Sequence, residues 1–141
     1  MKPLSRFQVS FWIGHPSVDP EEISAALELQ PFGMARAGEP RKTPKGNPVP
    51  GVNKLTTWRH HLLITTGTRL PDALSQFNKT LSGKAEYLRG LVNTGGTLEY
   101  FIGAFMEDNR IEELSWQLLK ECADLQISLT LDMYPQEQAM E

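Results

Sequence analysis

The residues of this 141-residue chain that could do chemistry are three histidines, one cysteine and a few adjacent carboxylates. His60 and His61 are consecutive, and side chains adjacent in a strand point to opposite faces, so the pair does not chelate one metal. His15 has no neighbour at ligand spacing. Cys122 stands alone, which excludes an intramolecular disulfide. It falls in an apolar stripe with Ile111, Leu114, Leu118 and Leu125, where a cysteine is a small buried hydrophobe rather than a nucleophile. Glu21-Glu22 and Glu112-Glu113 fall in first helical turns, where the helix dipole favours negative charge. Gly95-Gly96 leads into a strand, not into the helix that a phosphate-cradling loop requires. The sequence therefore assigns no catalytic residue, no metal ligand and no cofactor.

Positive charge is the other chemistry available, and it is unevenly spread. Residues 31–61 hold Arg36, Arg41, Lys42, Lys45, Lys54 and Arg59 against the single acid Glu39, a net of +5, in a chain whose net charge is −3. The rest of the chain therefore carries −8. Such asymmetry suits an acidic or anionic partner, or a loop that packs back onto its own acidic domain. From Pro31 to Thr56 no strand or helix period is visible, and prolines 31, 40, 44, 48 and 50 fall there with Gly33, Gly38, Gly46 and Gly51. The expectation is a long ordered or semi-ordered loop, and loops of that length tend to bind something.

The elements that must position this loop are legible from periodicity. Arg6 to Ile13 alternates with Phe7, Val9, Phe11 and Ile13 on one face, the pattern of a half-buried strand. Asp19-Pro20-Glu21-Glu22 supplies an N-cap, a proline at the first helical position and a carboxylate three residues on, before Pro31 stops the helix. Thr57 to Thr66 alternates again, with Trp58, His60, Leu62 and Ile64 together. Leu70 to Leu91 keeps helical spacing with Ser82-Gly83 as its weak point. Leu98 to Met106 is a strand whose Glu99, Phe101, Gly103 and Phe105 set is expected to face outward. Asn109, with Glu112 at the reciprocal position, is expected to cap another helix. Ile127 to Tyr134 closes the pattern.

This β-α-β-α-β-α-β order, with strands of unequal faces, predicts an α+β domain: a four-stranded, mainly antiparallel sheet with helices on one face, ferredoxin-like in arrangement. One domain over 1–135 with a polar tail at 136–141 is expected. No run of about eighteen apolar residues and no signal segment is present, so a cytoplasmic protein without membrane association is expected. The open sheet face would carry Trp12, Arg59, His61, Phe101, Phe105 and Tyr134 with Glu99 and Asp132, an apolar patch seldom left to water. The long loop, a homodimer or stacked bases would cover it. Trp116 lies off its helical stripe, as an interface anchor or a side chain pinned under another segment.

Several stretches together resemble the bacterial domain of unknown function 4279 family. They are DPEEISAALELQP, MARAGEPR, TTWRHHL and ELSWQLLKECADLQISLTLDMY, with Ile23, Leu27, Leu29 and Pro31 at the helix exit, the Arg36-Ala37-Gly38-Glu39 turn, and Trp58 opening the next strand. Glu28 stands where the family pattern often has glycine. The resemblance implies no established activity; protein-binding roles, including immunity to bacterial toxins, are associated with such domains. The expectation is a non-enzymatic binding protein, of immunity or regulatory type, that meets an acidic protein through Arg36, Arg41, Lys42 and Lys45, with Trp58, Arg59 and His61 at the strand-side edge. The alternative is nucleic-acid binding by the same basic residues with the sheet aromatics, opposed by the acids on that face and the negative net charge. An enzyme acting on a small anion is a third reading.

Overall fold

In a computed structural model, which describes residues 7–105 and 109–135, seven strands and four helices are assigned. They are β1 (Phe7–His15), α1 (Pro20–Leu27), β2 (Gly33–Ala35), β3 (Pro40–Lys42), β4 (Pro48–Val52), β5 (Thr56–His61), α2 (Leu70–Ser82), α3 (Ala85–Asn93), β6 (Thr97–Phe105), α4 (Trp116–Asp124) and β7 (Ile127–Tyr134). Five strands form one sheet in the order β2-β5-β1-β6-β7, and β3 and β4 form a separate hairpin. The fold class is α+β, as the alternating strands predict.

The topology differs from the four-stranded, ferredoxin-like expectation. A ferredoxin-like sheet returns its last strand beside its first, whereas β7 pairs with β6, in parallel, at the far edge. The other three pairings are antiparallel. The connection explains the difference: β6 and β7 are joined by α4, and a helical crossover is the usual link between parallel neighbours. β5 and β6 both oppose β1 and so run the same way, and α2 and α3 carry the chain between them across β1. Two crossovers of the same hand, advancing in the same direction across the sheet, leave their helices on the same face.

That face is the core. Val9, Phe11 and Ile13 of β1, Trp58 of β5 and Leu98, Tyr100 and Ile102 of β6 are buried with Ile23 and Leu27 of α1, Leu74 and Leu81 of α2, Leu88 and Leu91 of α3 and Leu118 and Cys122 of α4. Burial pushes the Cys122 thiol pKa up. Phe11 meets Trp58 edge-on at 6.3 Å and Phe77 at 5.7 Å, the geometry that the ring quadrupoles prefer. Asn78, also buried, accepts from the Tyr100 hydroxyl at 2.6 Å and donates to Glu121 at 3.0 Å, satisfying three polar groups at once.

Local expectations meet mixed outcomes. Asp19 caps α1 through the Glu21 amide at 2.9 Å. Glu28, where glycine is frequent in the family pattern, ends α1 in the left-handed conformation at φ 58°, and Lys84 holds its carboxylate at 2.8 Å. α2 and α3 separate at the Ser82-Gly83 weak point. The expected cap at Asn109 does not form: residues 109–115 hold no regular structure, and α4 starts at Trp116 with the Ser115 hydroxyl accepting from Leu118. Glu112 pairs instead with Arg69 at 3.5 Å. Trp116 is 69% exposed, so no other segment pins it. Met106 and the expected tail at 136–141 lie outside the described residues.

Candidate functional site

The Pro31–Thr56 stretch is built structure rather than a loop without strands. β2 adds three residues to the sheet edge, and β3 and β4 pair as a hairpin. Sequence periodicity misses them because neither hairpin strand has a buried face from which to alternate: β3 is exposed throughout and β4 nearly so. Pro40 and Pro48 occupy the first positions of their strands, where a missing N–H is tolerated. The tip is a tight turn in which the Gly46 amide donates to Thr43 at 2.8 Å and Gly46 itself sits at φ 91°, a region open to glycine.

The base of the hairpin is tied down. The Gly38 amide donates to the Asn53 carbonyl and the Asn53 amide to the Glu39 carbonyl, each at 2.8 Å. The Asn53 side chain donates to the Arg36 carbonyl at 2.9 Å, and buried Thr56 links the Ala37 amide to the Val18 carbonyl. Arg36 closes the clamp with Asp19 at 2.9 Å and Glu39 at 3.3 Å. The Glu21 amide and the Arg36 guanidinium hold the Asp19 carboxyl below its ordinary range, and Asp19 pushes Arg36 higher still. Arg36 is therefore engaged at the base, where its charge is already answered by two acids.

The arm beyond that base carries exposed charge. Arg41 and Lys42 lie on β3 and Lys45 at the turn, all exposed. Arg41 donates to the Pro50 carbonyl at 3.3 Å and lies along Gly51, whose φ of 92° and missing side chain leave the room. At the foot, Ala35, Arg41, Val52, Lys54 and Leu55 line an open groove of about 530 Å³. Val52 is 53% and Leu55 50% exposed, so the groove joins apolar surface to two cations.

The remaining expected residues lie elsewhere. Trp58 is 0% exposed, its indole N–H donating to Ser24 on α1 at 2.9 Å; it is a core residue and not part of a surface. The reason is register: Trp58 shares its face with His60, and that face meets the helices. Arg59 and His61 point to the other face. His61 stacks on Phe32 at 3.8 Å, and the Arg59 guanidinium lies 5.3 Å from the Phe32 ring and 5.2 Å from the Trp12 ring. Trp12 in turn stacks on Phe101 at 4.6 Å, and Phe105 on Tyr134 at 4.8 Å. The structure thus separates the seven expected residues into a clamp (Arg36), an arm (Arg41, Lys42, Lys45), a core residue (Trp58) and an open-face stack (Arg59, His61). Sequence reasoning misses Phe32, Val52, Leu55 and the second duty of Asp19, since each acquires its role from partners distant in sequence.

Among the described residues no three of His, Cys, Asp and Glu gather as a metal site, and no helix is long and apolar enough to cross a membrane. No curated protein and no solved structure matches the chain. Residues 5–136 match the profile of a family described as a domain of unknown function, DUF4279. That match spans the strands, the helices and the clamped hairpin alike, and by it the chain belongs to the DUF4279 family.

Proposed function

We propose that the protein is a non-enzymatic binding module of immunity or regulatory type, whose basic hairpin arm engages an acidic protein surface. The observation that carries this reading is the contrast between base and arm. The base is fixed by five hydrogen bonds and the Arg36 ion pairs, whereas Arg41, Lys42 and Lys45 are exposed on a hairpin that contributes nothing to the core. A rigid mount keeps the ordering cost of association small, and clustered like charge raises the rate of encounter with an opposite surface. The groove at the foot adds the apolar contact that charge alone lacks.

The test is capture from host-cell lysate with wild type beside the Arg41→Ser, Lys42→Ser, Lys45→Ser triple variant, with both protein and nucleic acid identified in the eluate. Loss of a specific acidic protein from the variant, with folding intact, supports the reading. Loop-dependent material that nuclease removes, with affinity falling by about one counterion per phosphate contact as salt rises, moves the assignment to nucleic acid. Identical eluates from the two baits end both readings.

A further inference from the structure

Arg59 sits in an incomplete site. The Trp12 and Phe32 rings both lie within cation–π range of its guanidinium, at 5.2 and 5.3 Å, and its fork of N–H donors has still to find acceptors. Among the described residues nothing accepts from that fork, and its Nε is buried without an acceptor. A buried donor without a partner is costly, and each such group asks for an explanation. Trp12 has the same property on the same face: its indole N–H is buried and makes no hydrogen bond.

Those two buried nitrogens are closed to any group arriving from outside, so an external carboxylate can meet only the terminal guanidinium nitrogens of Arg59, and the nearest acid in its own row is out of their reach. The register pairs Trp12 with Arg59 on one side and with Glu99 on the other, so the three form a row across β5, β1 and β6. Strand spacing sets the backbones of Arg59 and Glu99 about 10 Å apart, with the Trp12 ring between them. Glu99 makes no ion pair or hydrogen bond of its own among the described residues. The face is thus basic along β5, aromatic at its centre, and acidic on β6 and β7, where Asp132 accepts from Tyr134.

We propose that this open face is the interface of a homodimer, in which two copies pack sheet to sheet about a two-fold axis running along β1. That axis brings each Arg59 fork onto Glu99 of the second copy, twice, and lays Trp12 against Trp12. The other axis in the plane, across the strands, sets Arg59 on Arg59 and Glu99 on Glu99, an arrangement that like charge excludes. The same row selects the occupant. A nucleic acid or an acidic protein meets the carboxylates of β6 and β7, whereas a face that is basic on one half and acidic on the other complements itself, as an isologous contact requires. Four strands of about eight residues give roughly 500 Å² of projected area per copy before side-chain relief is counted, against about 800 Å² of accessible surface per partner in a standard interface. The interface therefore lies at the small end of specific contacts, and it uses a surface that the hairpin does not.

The experiment is sedimentation equilibrium of the full chain from about 1 to about 200 µM, a span wide enough to populate both monomer and a weak dimer. Wild type, Arg59→Glu, Glu99→Arg and the double exchange are compared, with thermal melts run alongside. Wild type is expected to form a reversible dimer. Each single substitution removes two pairs, about tenfold apiece, and weakens the dimer on the order of 100-fold; the double exchange restores it. Glu99→Arg and wild type decide the matter if Arg59→Glu fails to fold. A monomer at every concentration overturns the proposal, as does a dimer indifferent to the single substitutions, an exchange that restores nothing, or a monomer that takes up nucleic acid or a small anion through Arg59.

Discussion

If the hairpin is an arm for a partner, removing it must cost the partner and not the fold. Glu39 and Asn53 face each other across its base, the Asn53 amide donating to the Glu39 carbonyl at 2.8 Å. Replacing residues 40–52 by Gly-Gly therefore leaves the hydrogen bond of a two-residue turn already in place. No residue of 40–52 belongs to the core, and β3 and β4 contact chiefly each other. Half-exposed Val52 and the less exposed Val49 together forfeit about 2 kcal/mol of burial, while shortening the connection from 13 residues to two returns about 1.5 kcal/mol of closure entropy. The expected stability lies within about 2 kcal/mol of wild type, or about 5 °C in melting temperature for a domain of this size. Urea denaturation followed by tryptophan fluorescence reports it, since Trp58 sits in the core, and partner capture with the same variant reports binding. A fall of more than about 10 °C, or loss of a single cooperative transition, refutes the reasoning and makes the hairpin a structural clamp.

Further outcomes follow from the interior and the base. Asn78→Leu strands the buried Tyr100 hydroxyl and costs about 1 to 3 kcal/mol, and adding Tyr100→Phe recovers part of it; a coupling energy under about 0.5 kcal/mol in the double-mutant cycle contradicts the network. Cys122 is expected to react with a thiol reagent only as fast as the protein unfolds, so stoichiometric labelling in native buffer contradicts its burial. Asp19→Asn keeps the helix cap and loses the Arg36 pair. Because the folded pKa of Asp19 is depressed, its contribution is present above the ordinary value of 3.8 and is lost as the pH falls through the folded value. The gap in denaturation midpoint between wild type and Asp19→Asn should be open at neutral pH and closed in strong acid, and a gap independent of pH contradicts it.

Where two faces of an element meet different environments, the sequence spells them out. β1, β5 and β7 alternate because helices cover one side only, and the Glu99 face of β6 points away from the core, as its one charge implies. The α1 cap is legible because Asp19 and Pro20 each serve a local requirement, whereas the Glu22 carboxylate, expected to reach back to the cap amide, accepts instead from the Tyr87 hydroxyl at 3.0 Å. The hairpin strands escape detection because period 2 requires a buried side, and Pro40 to Lys42 have none. The start of α4 is misread because Asn109 with Glu112 and Ser115 each offer a cap; the structure uses Ser115, and Glu112 lies beside Arg69, a partner more than forty residues away. The pairing of β7 depends on the direction of a crossover that no local pattern encodes. For the site, charge places the arm, but the separation of Trp58 from Arg59 and His61 needs the register with β1.

The order in which the chain leaves the ribosome bears on the position of β1. Among the described strands it is the earliest in sequence and the central one in the sheet, paired along one side with β5 and along the other with β6, which begins at Thr97. A nascent chain that has reached His61 can close only one of those sides, and the apolar row Val9, Phe11 and Ile13 still waits for α2 and α3 to be synthesised. Contacts so distant in sequence form late, and an incomplete sheet exposes strand edges in the meantime. A chain truncated before β6 is therefore expected to be a ready client for chaperones, whereas one lacking only β7 retains a central strand flanked on both sides.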